Sequence, residues 1–200
     1  MSFALYTARR LLLAIIASLF TLSAFSQQAL SIKPLAEKRV DRLPDGALFW
    51  RIENFSSIAD AGSAAGPWSL TAQSAGKVWL FTLGARGGAS QGATKVAEVG
   101  PIPRVEATEY LLRINEATGP SGSVTSVHSH PGSEAFYVLQ GQQSIRGRNG
   151  VLRIDAGSAE AGNGADQPMQ VSSSGAADLH ALVMFVVDAK RPFSSPAALP

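Results

Sequence analysis

Beyond Gln27 the chain is built from short apolar runs, each ended within a few residues by glycine, proline, serine or asparagine, and few stretches are long and periodic enough for a helix. Such punctuation predicts an all-β chain. The candidate strands cover residues 48–53, 77–83, 94–99, 109–115, 124–130, 135–140, 143–148, 151–155, 158–161, 167–172 and 179–188. Asn149-Gly150 predicts a tight hairpin, because both central residues of the favoured turn need positive φ. That turn would set Arg153 opposite Arg146 and Ile154 opposite Ile145, with Ile145, Leu152 and Ile154 on one face and Arg146, Arg148 and Arg153 on the other. The arginine face reads as solvated, with Asp155 as a local partner, or as a contact for an anion or a second subunit. Segments 60–66, 85–93 and 119–123, rich in Gly, Ala or Ser, read as connections, and the middle one as a surface loop or a lid.

The first 26 residues read as an export leader. Arg9 and Arg10 precede an apolar run from Leu11 to Leu22, and Ala24-Phe25-Ser26 offers small residues for cleavage before Gln27. The run is shorter than the roughly 20 residues of a spanning helix and is broken by Ser18, Thr21 and Ser23, so no stable membrane anchor is expected after cleavage. The expected location is periplasmic or secreted. Without Arg9 and Arg10 the basic residues fall from 17 to 15, equal to the 15 acidic ones. A net charge of zero with no basic run gives no footprint for nucleic acid.

The remaining 174 residues suit one domain. The expected division is N-terminal strands over 27–105, a core over 106–190 and a tail over 191–200. Cysteine is absent, which removes disulfides, thiolate metal ligands and thiol nucleophiles.

Two of the three histidines, His128 and His130, stand two residues apart in a strand-like segment, so their rings should share a face. Pro131-Gly132 signals a bend, after which Glu134 opens the apolar run Ala135-Phe136-Tyr137-Val138-Leu139. Two imidazoles and a carboxylate suit a divalent first-row metal and leave positions open for water, dioxygen or substrate. Read alone, either histidine would be an ordinary surface residue.

Gly122, five residues, His128, Ser129, His130, three residues, Glu134, six residues, Gly141: this pattern resembles the first metal motif of the cupin superfamily at each defining position. The resemblance covers residues 122–141 strongly and fades toward residue 188. It implies a jelly-roll β-barrel with extra N-terminal strands, and a metal on His128, His130 and Glu134, with iron or manganese favoured over zinc, nickel or copper. It also implies that Phe136 and Val138 line the cavity while Tyr137 and Leu139 face outward. The second cupin motif is loose. Gln167 stands where a final histidine is usual, and Gly162 where a proline is usual. Gln167 would ligate the metal, hold a bound water or support the wall, and Met169 would follow it on the inner face. His180 reads better as structural than as a replacement ligand. Trp50, Trp68 and Trp79 read as core, in strands that extend the barrel sheets, across a dimer interface in one arrangement.

The resemblance to quercetin-dioxygenase-like cupins makes a metal-dependent dioxygenase acting on a small organic molecule the leading enzyme class. Two other classes stay open: a binding or sensing module without turnover, favoured by the missing histidine, and a metal-assisted isomerase or lyase using Glu109 or Tyr110 as acid or base. A homodimer is the expected assembly.

Overall fold

The structure is a computed structural model that describes residues 28–199; the expected leader lies outside the described residues. The N-terminal half supplies β1 (Ser31–Val40), β2 (Leu48–Phe55), α1 (Ile58–Ala64), β3 (Ser69–Ser74), β4 (Lys77–Gly84) and β5 (Thr94–Ile102). The second half supplies β6 (Tyr110–Gly119), β7 (His128–Ser129), β8 (Gly132–Gln140), β9 (Gln142–Gly147) and β10 (Gly150–Asp155). It ends with β11 (Ala159–Ala161), β12 (Met169–Ser173), β13 (Leu179–Asp188) and β14 (Ser195–Pro196). Among the described residues no helix is long and apolar enough to cross a membrane.

The strands form three antiparallel sheets. A central sheet runs β1-β6-β13-β8-β11, a second runs β10-β9-β12-β7-β14, and a third runs β3-β4-β2-β5. The first two face each other as the jelly-roll barrel, and the third packs on the outside of the central sheet. This arrangement explains why β13 is apolar on both faces. Leu182, Met184 and Val186 enter the outer core with Trp50, Trp79 and Phe81, whereas Ala181, Val183, Phe185 and Val187 enter the barrel core with Phe136, Ile145 and Met169. A strand buried on both sides loses the polar alternation of a half-exposed one. β8 divides likewise: Phe136 and Val138 turn into the barrel, and Ala135 and Tyr137, with Leu139 at the margin, turn to the third sheet.

Several expectations need correction. Of the N-terminal strands only β1 extends a barrel sheet; β2 to β5 form the separate third sheet. β1 itself escapes the sequence pattern because it is a charged, largely exposed edge with Pro34 beside a register shift, the sort of place where a sheet tolerates proline. Residues 58–64 are a helix, capped where Ser57 Oγ accepts from the Asp60 backbone N–H. The segment expected as strand 124–130 is mostly irregular; Val124 makes single bridges and only His128–Ser129 is strand.

The hairpin turns one step earlier than expected. Arg148 and Asn149 are its central residues, Arg146 lies opposite Val151 and Arg153 opposite Ser144. Gly150, not Asn149, takes the positive φ, at 108°. The shift is by two partners, so Ile145, Leu152 and Ile154 keep a common face while no two arginines are directly opposed. The three arginines are exposed, and Asp155 accepts from Gln142 instead of meeting them. The loop at 85–93 is tied to the third sheet and not to the barrel mouth: Ser90 donates its N–H and hydroxyl to Glu53, and Gly87 donates to Glu98.

Candidate functional site

A cavity of about 270 Å³ opens between the two barrel sheets, and His128, His130 and Glu134 all line it. β7 delivers His128, held between β12 and β14 through its pairing with Met169 and Pro196. His130 follows one residue beyond β7, where its carbonyl accepts from the Asp166 N–H at 2.8 Å. β8 delivers Glu134 opposite Phe185 of β13. Gly162 leaves room for that side chain. A Cβ there would sit 2.6 Å from Glu134 Cγ, so the smaller residue in place of the expected proline is what the packing requires.

Hydrogen bonds fix both imidazoles. His128 Nδ1 is 2.9 Å from the Ser126 carbonyl, and His130 Nδ1 is 2.6 Å from the Phe193 carbonyl. A carbonyl only accepts, so each Nδ1 carries a proton, and Nε2 is the nitrogen whose lone pair a metal would use. The rings lie edge to face with centroids 5.0 Å apart. Burial presses the His130 pKa down to about 4, helped by nearby His128 and Arg113 and partly opposed by the Phe193 carbonyl, so this ring is neutral at neutral pH. Glu134 is pushed the other way. Burial raises its carboxyl to about 8, only partly offset by the Asn163 backbone, and its Oε1 has no partner among the described residues.

As they stand, no three His, Asp or Glu side chains among the described residues are grouped closely enough to hold a metal. The donor chemistry nevertheless fits a divalent cation. Two imidazoles have their outer nitrogens tied to backbone carbonyls, the usual support of metal-binding histidines, and a buried carboxylate oxygen lacks a partner beside them.

The other expected residues divide. Phe136 lines the cavity; Val138 and Met169 are buried in the same apolar cluster but lie outside its wall. Gln167 is not brought to the site. The chain turns at Asp166, which takes a φ of 61° and is clamped by Arg191 at 2.6 Å, and β12 begins only at Met169, which leaves Gln167 exposed. His180 turns toward the third sheet, where its Nε2 is 2.8 Å from Glu116 and 3.2 Å from Ser74 Oγ. Glu109 pairs with Arg39, and neither it nor Tyr110 lines the cavity.

The tail contributes what the sequence did not suggest. Phe193 stacks near both His130 and Phe185, with centroids 4.7 and 5.0 Å away, under the Arg113 guanidinium at 4.2 Å. Asn115, also in the wall, was equally unforeseen. An aromatic residue in an otherwise Pro-, Ser- and Ala-rich tail was the one available signal for Phe193; Asn115 offered only a polar residue at the barrel-facing parity of an apolar strand.

No protein-family model matches the chain, and no curated protein matches it. Solved structures do. They include a cupin superfamily protein from Desulfitobacterium hafniense, with 16% identity and a TM-score of 0.35 over 38% of this chain. A cupin-like protein from Thermotoga maritima gives 13% identity and 0.39 over 44%, and a DMSP lyase from Ruegeria pomeroyi gives 18% and 0.38 over 43%. The matches span 68%, 65% and 43% of those chains in turn. Two of these three structures are described as a cupin and a cupin-like protein. TM-scores this low leave the chemistry of the site to its own residues.

Proposed function

We propose that this barrel takes a small organic molecule into the cavity beside a divalent metal held by His128, His130 and Glu134, with iron or manganese favoured. The observation that carries the reading is the matched support of the two imidazoles: both outer nitrogens donate to backbone carbonyls, leaving both Nε2 lone pairs for a ligand. A metal on three protein donors would supply Lewis acidity and open positions for oxygen chemistry, which makes a dioxygenase the leading reaction class. The chain's own part is to bind and enclose. Phe136, Phe185 and Phe193 give the cavity an apolar wall, and the Phe193 carbonyl keeps the His130 proton on Nδ1.

A second reading is favoured by the exposure of Gln167, which keeps the residue expected in the fourth ligand's place away from the site. It is a module that binds a small molecule or metal without turnover. Both readings suit an exported protein with the leader at 1–26 removed, and a homodimer remains the proposed assembly.

One experiment separates them. The protein is purified anaerobically, its metal is measured by elemental analysis, and dioxygen uptake is followed with catechols, flavonols and diketones. Bound iron or manganese with substrate-dependent uptake supports the dioxygenase; tight binding without uptake rules it out. Unchanged metal content in a His128→Ala, Glu134→Gln double variant removes the site assignment altogether.

A further inference from the structure

We infer that Asn115 is the specificity-determining residue of this cavity and that its amide selects an apolar, ring-sized molecule bearing a carbonyl oxygen. The inference rests on the small-molecule reading above and names the substrate class.

Asn115 lies on β6 opposite Val183, on the face that turns into the barrel, and it lines the cavity although only 2% exposed. Its amide has one oxygen and one NH2, and the orientation of the two is decided by Arg113. Arg113 Nε stands 2.8 Å from the side-chain oxygen, and a guanidinium can only donate. Arg113 is in turn held by the Phe193 ring beneath it and by Glu37 at 3.6 Å. The amide therefore cannot turn over without setting two donors against each other. Its NH2 is left with no partner among the described residues.

A donor on the cavity wall that no protein acceptor engages is available to a ligand's acceptor, which gains a directed hydrogen bond there. The surroundings define the rest of that ligand. Phe136, Val171, Val183, Phe185 and Phe193 offer apolar contact to its body. About 270 Å³ limits it to roughly one ring with short substituents. Asn115 is neutral, and Arg113 is already engaged with Asn115 and Glu37, so a neutral carbonyl suits the site better than a free carboxylate.

The test uses two probes of one shape, acetophenone and α-methylstyrene, which differ by a carbonyl oxygen in place of a methylene. Binding is followed by ligand-observed NMR on the purified protein. Acetophenone should bind about tenfold tighter, the weight of one neutral hydrogen bond. Asn115→Leu should erase that preference while leaving α-methylstyrene as well bound or better. If the Leu variant does not fold, Asn115→Asp keeps an oxygen for Arg113 and the same shape but loses the donor, and it too should lose the preference. Arg113→Lys, which removes the orienting Nε, should lower the ratio and not the α-methylstyrene affinity. Equal binding of the two probes by the unaltered protein, or a preference that survives in a folded Asn115 variant, overturns the inference and leaves the cavity reading intact. Failure of both probes to bind at all overturns both.

Discussion

The central sheet is buried on both faces, and the two faces differ in how their polar groups are treated. On the outer face Leu182, Met184 and Val186 meet Trp79 and Phe81, and the acid beside this layer, Glu116, is paired with His180 and Ser74. On the inner face the same strands meet His130, Phe193 and a cavity, and Glu134 stays buried with an oxygen unpartnered. Apolar burial alone does not tell the two apart. Each layer holds an unpartnered polar atom, Trp50 Nε1 in the outer core and Glu134 Oε1 in the inner, but only the inner one belongs to an ionisable group beside a cavity.

The largest effect should come from the outer face. Trp79 is 1% exposed and packs against Phe81 and Tyr137 at centroid distances of 6.2 and 6.1 Å. Trp79→Ala should cost about 3–5 kcal/mol of stability, read from the urea midpoint, because a large ring is lost and a cavity left. It should leave the affinity of the inner cavity for acetophenone unchanged at concentrations of folded protein. A loss of affinity without a loss of stability would show the two faces to be coupled.

Glu134 should behave in the opposite sense. With a chelator present, Glu134→Leu removes an orphaned buried oxygen and should raise stability by about 1–3 kcal/mol, while abolishing metal uptake. A fall in stability of similar size would mean that the carboxyl is structurally paired, and the contrast between the faces would collapse.

Glu53 sharpens the contrast, since it is as buried as Glu134 but fully partnered. Burial alone would raise its pKa; the Ser90 N–H and hydroxyl, together with Arg51, outweigh that and hold it below the usual 4.5. A lowered folded pKa stabilises above the unfolded value and is lost as pH falls through the folded one. Stability should therefore decline below pH 4.5, and Glu53→Gln should flatten that acid limb in thermal unfolding across a pH series. An acid limb unchanged in the variant would assign it to other carboxylates.

Much of the barrel was legible because period-2 patterning and turn residues act locally: β13 matches end to end, β2, β4 and β9 within two residues, and β8 within three. β1 was not, because an edge strand is specified by its partner β6 more than by its own charged sequence. Nor was the third layer, since two-sided burial of β13 announces a neighbour without saying which segment supplies it. At the site, His128, His130, Glu134 and Phe136 share a face because side-chain parity and one bend decide it. Phe193 and Asn115 depend on contacts 63 residues apart and on an arginine two positions away, which no local pattern encodes.

Gln167 gives the smallest effect and the most discriminating one. Parity from Met169 places position 167 on the inner face, but that argument assumes the strand continues, and the turn at Asp166 followed by Pro168 ends it first. An exposed residue outside any hydrogen-bonded ladder has little to lose, so Gln167→Ala should change stability by less than about 0.5 kcal/mol. Its metal content should equal that of the unaltered protein, whereas His128→Ala should lose metal. Should Gln167→Ala also lose metal, the segment from Asp166 to Pro168 must fold inward when the cation binds, and the inner face would then be closed by a fourth donor drawn from the surface.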